Sequence, residues 1–146
     1  MANLPNDNMQ RYNYLSFEIN AAYHDAALKM GLSDSGMSIL YTLCIDGGKS
    51  LLRDIIRYSG ISKQTINSSL RKLEADDIVK LDSTENRKKT VYLTKKGRES
   101  VKHTIEPLIK IENEILSSWS KDEAAIYLDL TSRYLTTLKE KIEEEL

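Results

Sequence analysis

Ile55-Ile56-Arg57-Tyr58-Ser59-Gly60-Ile61-Ser62-Lys63-Gln64-Thr65-Ile66-Asn67-Ser68-Ser69-Leu70-Arg71-Lys72-Leu73 is the stretch on which the fold turns. Two short amphipathic segments lie on either side of Ser59-Gly60-Ile61-Ser62. Gly60 suits a left-handed helix terminus. Ser62 suits the cap of the next helix. That helix, Lys63 to Ala75, repeats apolar residues at Ile66, Leu70 and Leu73, so one face turns inward. At about 100° per residue, Gln64, Ser68 and Arg71 fall opposite, with Thr65, Asn67 and Lys72 beside them. A shorter helix near Leu51 to Tyr58 precedes the turn, with Ile55 and Ile56 inward. Helix, tight Gly-containing turn, helix is the pattern of a helix-turn-helix.

Downstream, the period changes. Ile78-Val79-Lys80-Leu81 and Thr90-Val91-Tyr92-Leu93 read as strands. Between them Asp82 to Lys89 is polar throughout and ends in Arg87-Lys88-Lys89, which predicts a hairpin with a charged tip. A helix-turn-helix followed by such a hairpin is a winged helix-turn-helix, and its second helix fits the major groove. The outer residues are of the kinds that read base edges: Gln or Asn toward adenine, Arg toward guanine, Ser and Thr toward either. Ser62, Lys63, Gln64, Thr65, Asn67, Ser68, Arg71 and Lys72 are therefore the candidate DNA-binding residues of this helix. On the hairpin, Arg87 suits a narrow, electronegative minor groove, and Lys88 and Lys89 suit phosphates.

The rest of the chain is helical. Tyr12 to Met30 carries an apolar stripe at Tyr12, Leu15, Ile19, Tyr23, Ala26 and Met30, and Gly31 ends it. Ser33 or Ser35 caps a second helix, running to about Ile45, apolar enough to be the buried central helix. Asp46-Gly47-Gly48 is a turn. Thr94 caps a long helix to about Trp119, with a kink expected at Pro107. Ser120 caps the last helix, and Glu123 completes a capping box. Its stripe is Tyr127, Leu130, Tyr134, Leu138 and Ile142, and the acidic end Glu143-Glu144-Glu145 is expected to fray. The fold class is mainly α with a small β-hairpin wing. A winged helix-turn-helix core (33–98) stands between long N-terminal (8–31) and C-terminal (99–146) dimerisation helices, in one domain spanning 1–146.

Charge supports this reading once it is resolved along the chain. The net charge of the 146 residues is only -1. From Arg53 to Arg98, however, there are 12 basic and 6 acidic residues, a net +6, against 9 basic and 16 acidic elsewhere, a net -7. Phosphate binding follows local charge. No apolar run reaches membrane-spanning length, and Met1 to Gln10 lacks the features of a signal peptide, so a cytoplasmic protein is expected. One cysteine, Cys44, excludes an intrachain disulfide. Two histidines, His24 and His103, are too few for a rich zinc site, and no metal or other cofactor is expected. Neither a nucleophile elbow nor a Gly-rich phosphate loop is present, so the chain is not read as an enzyme.

The chain resembles the MarR family of bacterial regulators over nearly its whole length. The resemblance rests on Ile55-Ile56, Ser59-Gly60-Ile61-Ser62 and Leu70-Arg71-Lys72-Leu73-Glu74. It is most specific in the wing: Asp82, then Glu85-Asn86-Arg87, then Val91-Tyr92-Leu93-Thr94-Lys95-Lys96-Gly97. Two features depart from the family's pattern. Glu85 stands where Asp usually precedes x-Arg, and Asp76-Asp77 stands where a Gly is usual.

The resemblance implies a ligand-responsive repressor that binds a pseudo-palindromic duplex operator as a homodimer built from the first and last helices. Leu15, Ile19, Trp119, Tyr127, Tyr134 and Leu138 are the candidate dimer residues. Small phenolic or aromatic effectors are common in that family, and Tyr12, Phe17, Tyr23, His24, Met37 and Tyr41 are the candidates to line such a site. Two other functions fit less of the sequence. One is a winged-helix protein-interaction module. The other is a redox switch through Cys44, which sits on an apolar helix between Leu43 and Ile45 rather than in an electropositive setting.

Overall fold

The computed structural model describes residues 3–83 and 88–146. The chain divides into two compact units, 1–108 and 109–146.

Helix α1 (Asp7–Met30) begins about a turn before its apolar stripe, because the Asn6 side chain accepts from Met9 N at 2.9 Å and caps it there. Gly31, at φ 70°, closes it in the left-handed conformation expected of a terminal glycine. Helix α2 (Asp34–Ile45) takes Ser33 as its cap, with Gly36 N donating to Ser33 Oγ at 3.0 Å. Ser35, the other candidate cap, is buried instead.

Helix α2 is the hub of the first unit, as its composition predicts. Ile39, Leu40 and Leu43 are at most 1% exposed. It packs against α3 (Leu52–Ser59) and α4 (Lys63–Ala75), whose Ile55, Ile66, Leu70 and Leu73 are also buried. Each such aliphatic side chain contributes about 1.5–3 kcal/mol by leaving water.

The wing strands are β2 (Val79–Ser83) and β3 (Lys89–Leu93). A third strand, β1 (Lys49–Leu51), pairs antiparallel with β3, giving the order β1-β3-β2. Val91 stands between Ser50 and Leu81 in register. Val79, Val91 and Leu93 turn their side chains into the core. The sequence showed a hairpin and missed β1, since three residues are too few to display alternation.

The expected single helix from Thr94 to Trp119 is two helices, α5 (Lys95–His103) and α6 (Ile105–Ser117). The break is at Thr104 (φ -122°, ψ -74°) and not at Pro107. Thr104 Oγ1 donates to Ser100 O at 3.0 Å, offering that carbonyl a side-chain partner in place of the helix ladder. Pro107 is the third residue of α6, in the first turn, where a missing N–H costs no helix bond. Val101, Ile105 and Leu108 complete the core of the first unit.

Helix α7 (Lys121–Glu145) lies in the second unit. The capping box is formed: Glu123 N donates to Ser120 Oγ at 3.1 Å, and Ser120 N to Glu123 Oε1 at 2.9 Å. The helix runs through the acidic end that was expected to fray. There Lys141 Nζ stands 3.5 Å from a Glu144 oxygen and 3.8 Å from one of Glu145. No residue of α7 is buried.

Candidate nucleic-acid interface

Helix α4 is fixed from below and open above. Its inner residues Ile66, Leu70 and Leu73 are in the core, and Ser69 Oγ hydrogen-bonds Ser35 Oγ of α2. The turn that aims it is held by its own side chains. Ser59 Oγ donates to Ile56 O at 3.0 Å and accepts from Ile61 N at 3.1 Å, while Gly60 takes φ 64°. Ser62 Oγ accepts from Thr65 N at 3.2 Å and donates to Thr65 Oγ1 at 2.9 Å.

On the outer side, Lys63, Gln64, Asn67, Ser68 and Arg71 line one shallow concavity. Thr65 and Lys72 are exposed beside it. All seven belong to the set read from helical periodicity, and Ser62 is the cap beneath them. Ser68 Oγ donates to Gln64 O at 3.1 Å. Lys63, Arg71 and Lys72 form no ion pair with a described residue, so their charge is available to an incoming anion. The positive end of the α4 dipole adds to that charge.

The hairpin is attached to α4 through a tightly specified joint. Asp77, at φ 57°, is the one non-glycine residue with positive φ among the described residues. It stands where the resembled family usually has glycine, and Asp tolerates that conformation better than most residues. Thr94 N donates to Ile78 O at 3.0 Å, and Thr94 Oγ1 donates to Asp77 O at 2.6 Å. Thr94 Oγ1 also accepts from Gly97 N at 2.9 Å, and Lys96 Nζ donates to Asp76 O at 2.9 Å. A β-carbon on Gly97 would lie 2.0 Å from Ile78 O, so only glycine fits. The Thr-x-x-Gly signature is thus the clasp between the end of α4 and the start of α5.

Lys88 and Lys89 are exposed at the base of the wing. Arg87, with Thr84 to Asn86, lies outside the described residues. Two further cations escaped the sequence reading. Lys49 and Lys80 flank Tyr92 in register across the sheet, with Lys80 Nζ 5.6 Å from the Tyr92 ring centroid. Only the pairing register, set by the unrecognised β1, brings them into one row.

The candidate effector residues are distributed differently. Met37 is buried in the core, Tyr41 is half-buried, and Tyr12 and Phe17 are exposed. Tyr12 and Phe17 point about 140° apart round α1. Tyr23 shares the face of Tyr12, while His24 Nδ1 lies 2.9 Å and 3.0 Å from the Asp34 carboxylate oxygens, linking α1 to α2. Of the candidate dimer residues, Leu15 and Ile19 are exposed on α1, and Trp119, Tyr127, Tyr134 and Leu138 are exposed in the second unit. Trp119 and Tyr127 meet edge to face at 5.2 Å. Cys44 is half-buried, and its thiol pKa is pushed up to about 11, first by burial and then by the negative charge of Glu106.

No helix among the described residues is long and apolar enough to cross a membrane. No sequence among curated proteins matches the chain. Solved structures do. A MarR family regulator from Neisseria meningitidis matches with a TM-score of 0.79 at 18% identity, over 96% of this chain and 99% of that one. A MarR family transcriptional regulator from Silicibacter pomeroyi gives 0.71 at 20% identity, over 86% of each chain. NadR in complex with 4-hydroxyphenylacetate gives 0.71 at 14% identity, over 92% of this chain and 96% of that one. The fold is therefore that of MarR family regulators, as the resemblance implied. The sequence model of the ArnR1-like, winged-helix domain matches residues 24–112, a span containing α2, the helix-turn-helix, the sheet and α5. With both α4 and the clasp inside that span, the chain belongs to the ArnR1-like winged-helix domain family.

Proposed function

We propose that the chain is a transcription regulator that binds a pseudo-palindromic duplex operator as a homodimer, in the cytoplasm, and acts as a repressor released by a small aromatic or phenolic effector. The observation that carries this is the outer face of α4. Five side chains able to meet base edges or phosphates line one surface, on a helix whose opposite face is locked into the core. Such a face is complementary to a major groove. The exposed Lys88 and Lys89 extend the cationic surface toward the wing, where Arg87 would enter the minor groove.

Dimerisation is supported by surface that one chain leaves wet. Tyr134 and Leu138 are each 41% exposed and Ile19 is 52% exposed, on helices whose stripes have the spacing of a packed interface. The effector part draws on the 4-hydroxyphenylacetate bound to NadR. Titrating that compound into the protein–DNA complex should release the duplex; unchanged affinity at saturating compound would remove this class of effector.

The experiment for the main reading is selection of bound duplexes from a random library near physiological salt, with wild type and Arg87→Ala. An enriched pseudo-palindrome is expected, with affinity lowered by about 1–3 kcal/mol in the variant. Salt-sensitive binding without an enriched motif would contradict sequence reading. A protein-interaction module would be indifferent to the substitution.

A further inference from the structure

We infer that Ser68 and Arg71 read one G·C pair together, Ser68 accepting from the cytosine amine while Arg71 donates to guanine. This rests on the proposal that α4 occupies the major groove.

A serine hydroxyl has one proton to give and lone pairs to receive. The Ser68 proton is directed at Gln64 O at 3.1 Å, and a carbonyl can only accept. What Ser68 shows the groove is therefore an acceptor. In the surrounding concavity Lys63 and Arg71 bring donors alone, while the amides of Gln64 and Asn67 each bring a donor and an acceptor. Arg71 has donors only, arranged in a planar fork. It is three residues from Ser68, so the two side chains rise side by side, about 5–6 Å apart at their β-carbons.

The pair therefore offers an adjoining two-donor fork and single acceptor. In the major groove a G·C pair presents guanine N7 and O6, both acceptors, and then the cytosine N4 amine, a donor. The complementarity is complete. An A·T pair places the adenine amine between the N7 and O4 acceptors. A guanidinium fork laid across adenine N7 and N6 would meet a donor. Ser68 would then face thymine O4, acceptor against acceptor. The polarity of Ser68, set inside the helix, thus selects the base pair beneath Arg71.

The test is the affinity of every singly substituted duplex across one half-site, for wild type, Ser68→Ala, Arg71→Ala and the double variant. Both side chains are exposed, and unchanged melting temperatures would establish that all four proteins fold. Arg71→Ala should reduce the preference at one G·C pair by about 5- to 150-fold. Ser68→Ala should reduce it at the same pair by about 2- to 12-fold, and the double variant should lose more at that pair than Arg71→Ala alone, with no new position affected. Replacing that cytosine with 2-pyrimidinone, which lacks the amine, should weaken wild type and leave Ser68→Ala unaffected. Flattening of a different pair by Ser68→Ala, or of none, overturns the inference while leaving the DNA reading intact. A wild type without preference at any position overturns both.

Discussion

Cys44 is a case in which neighbours distant in sequence decide the chemistry. Its thiol lies half-buried on α2, with Glu106 of α6 adding a repulsive negative charge. Both effects oppose the thiolate, and the pKa is pushed up to about 11, well above that of an ordinary thiol. The thiolate is the nucleophile. At pH 8 its population should therefore be about 100-fold below that of an unperturbed thiol. Alkylation by iodoacetamide is expected to be slow at neutral pH and to accelerate as pH rises toward 11. Rapid labelling of the folded protein at pH 7 would contradict the account and restore a redox role for Cys44. The apolar surroundings of Cys44 were legible from Leu43 and Ile45, but the contribution of Glu106 was not. Likewise, the exposure of Arg71 follows from periodicity, whereas the polarity of Ser68 required the observed bond to Gln64 O.

At the scale of elements, the junction of α4, β2 and α5 carries the most specific demand on the sequence. Three successive carbonyls, of Asp76, Asp77 and Ile78, receive donors from Lys96 and Thr94, and Gly97 lies against the last of them. Gly97→Ala forces a β-carbon against backbone that cannot swing aside as a side chain can. It should destabilise the fold by about 1–3 kcal/mol or more, read as a lower denaturation midpoint. A variant as stable as wild type would show that the joint yields easily. Helices whose stripes face the core or whose caps are strong were readable: α2, α4 and the start of α7 lie where spacing and serine caps place them. The division of α5 from α6 was not, because proline is a conspicuous breaker in sequence and a threonine hydroxyl is an inconspicuous one. At Thr104 the local bond to Ser100 O prevailed, while Pro107 fell harmlessly into a first turn.

On the scale of the whole molecule, the distribution of charge and apolar surface matters more than either total. The net charge of -1 conceals a basic middle that coincides with the helix-turn-helix and wing. Acidic residues are concentrated in the terminal regions, whose apolar residues remain exposed on α1 and α7. A chain arranged in this way suits self-association through its ends and phosphate binding through its middle. In the proposed dimer the two α4 helices would stand about 34–36 Å apart, one helical turn of DNA, or a multiple of that. The central claim is tested most directly by sedimentation of the protein with its selected duplex and with a scrambled duplex of equal length, near physiological salt. Two chains bound to each selected duplex, with much weaker binding to the scrambled one, is the predicted result. One chain per duplex, or equal affinity for both sequences, would contradict a dimeric sequence reader.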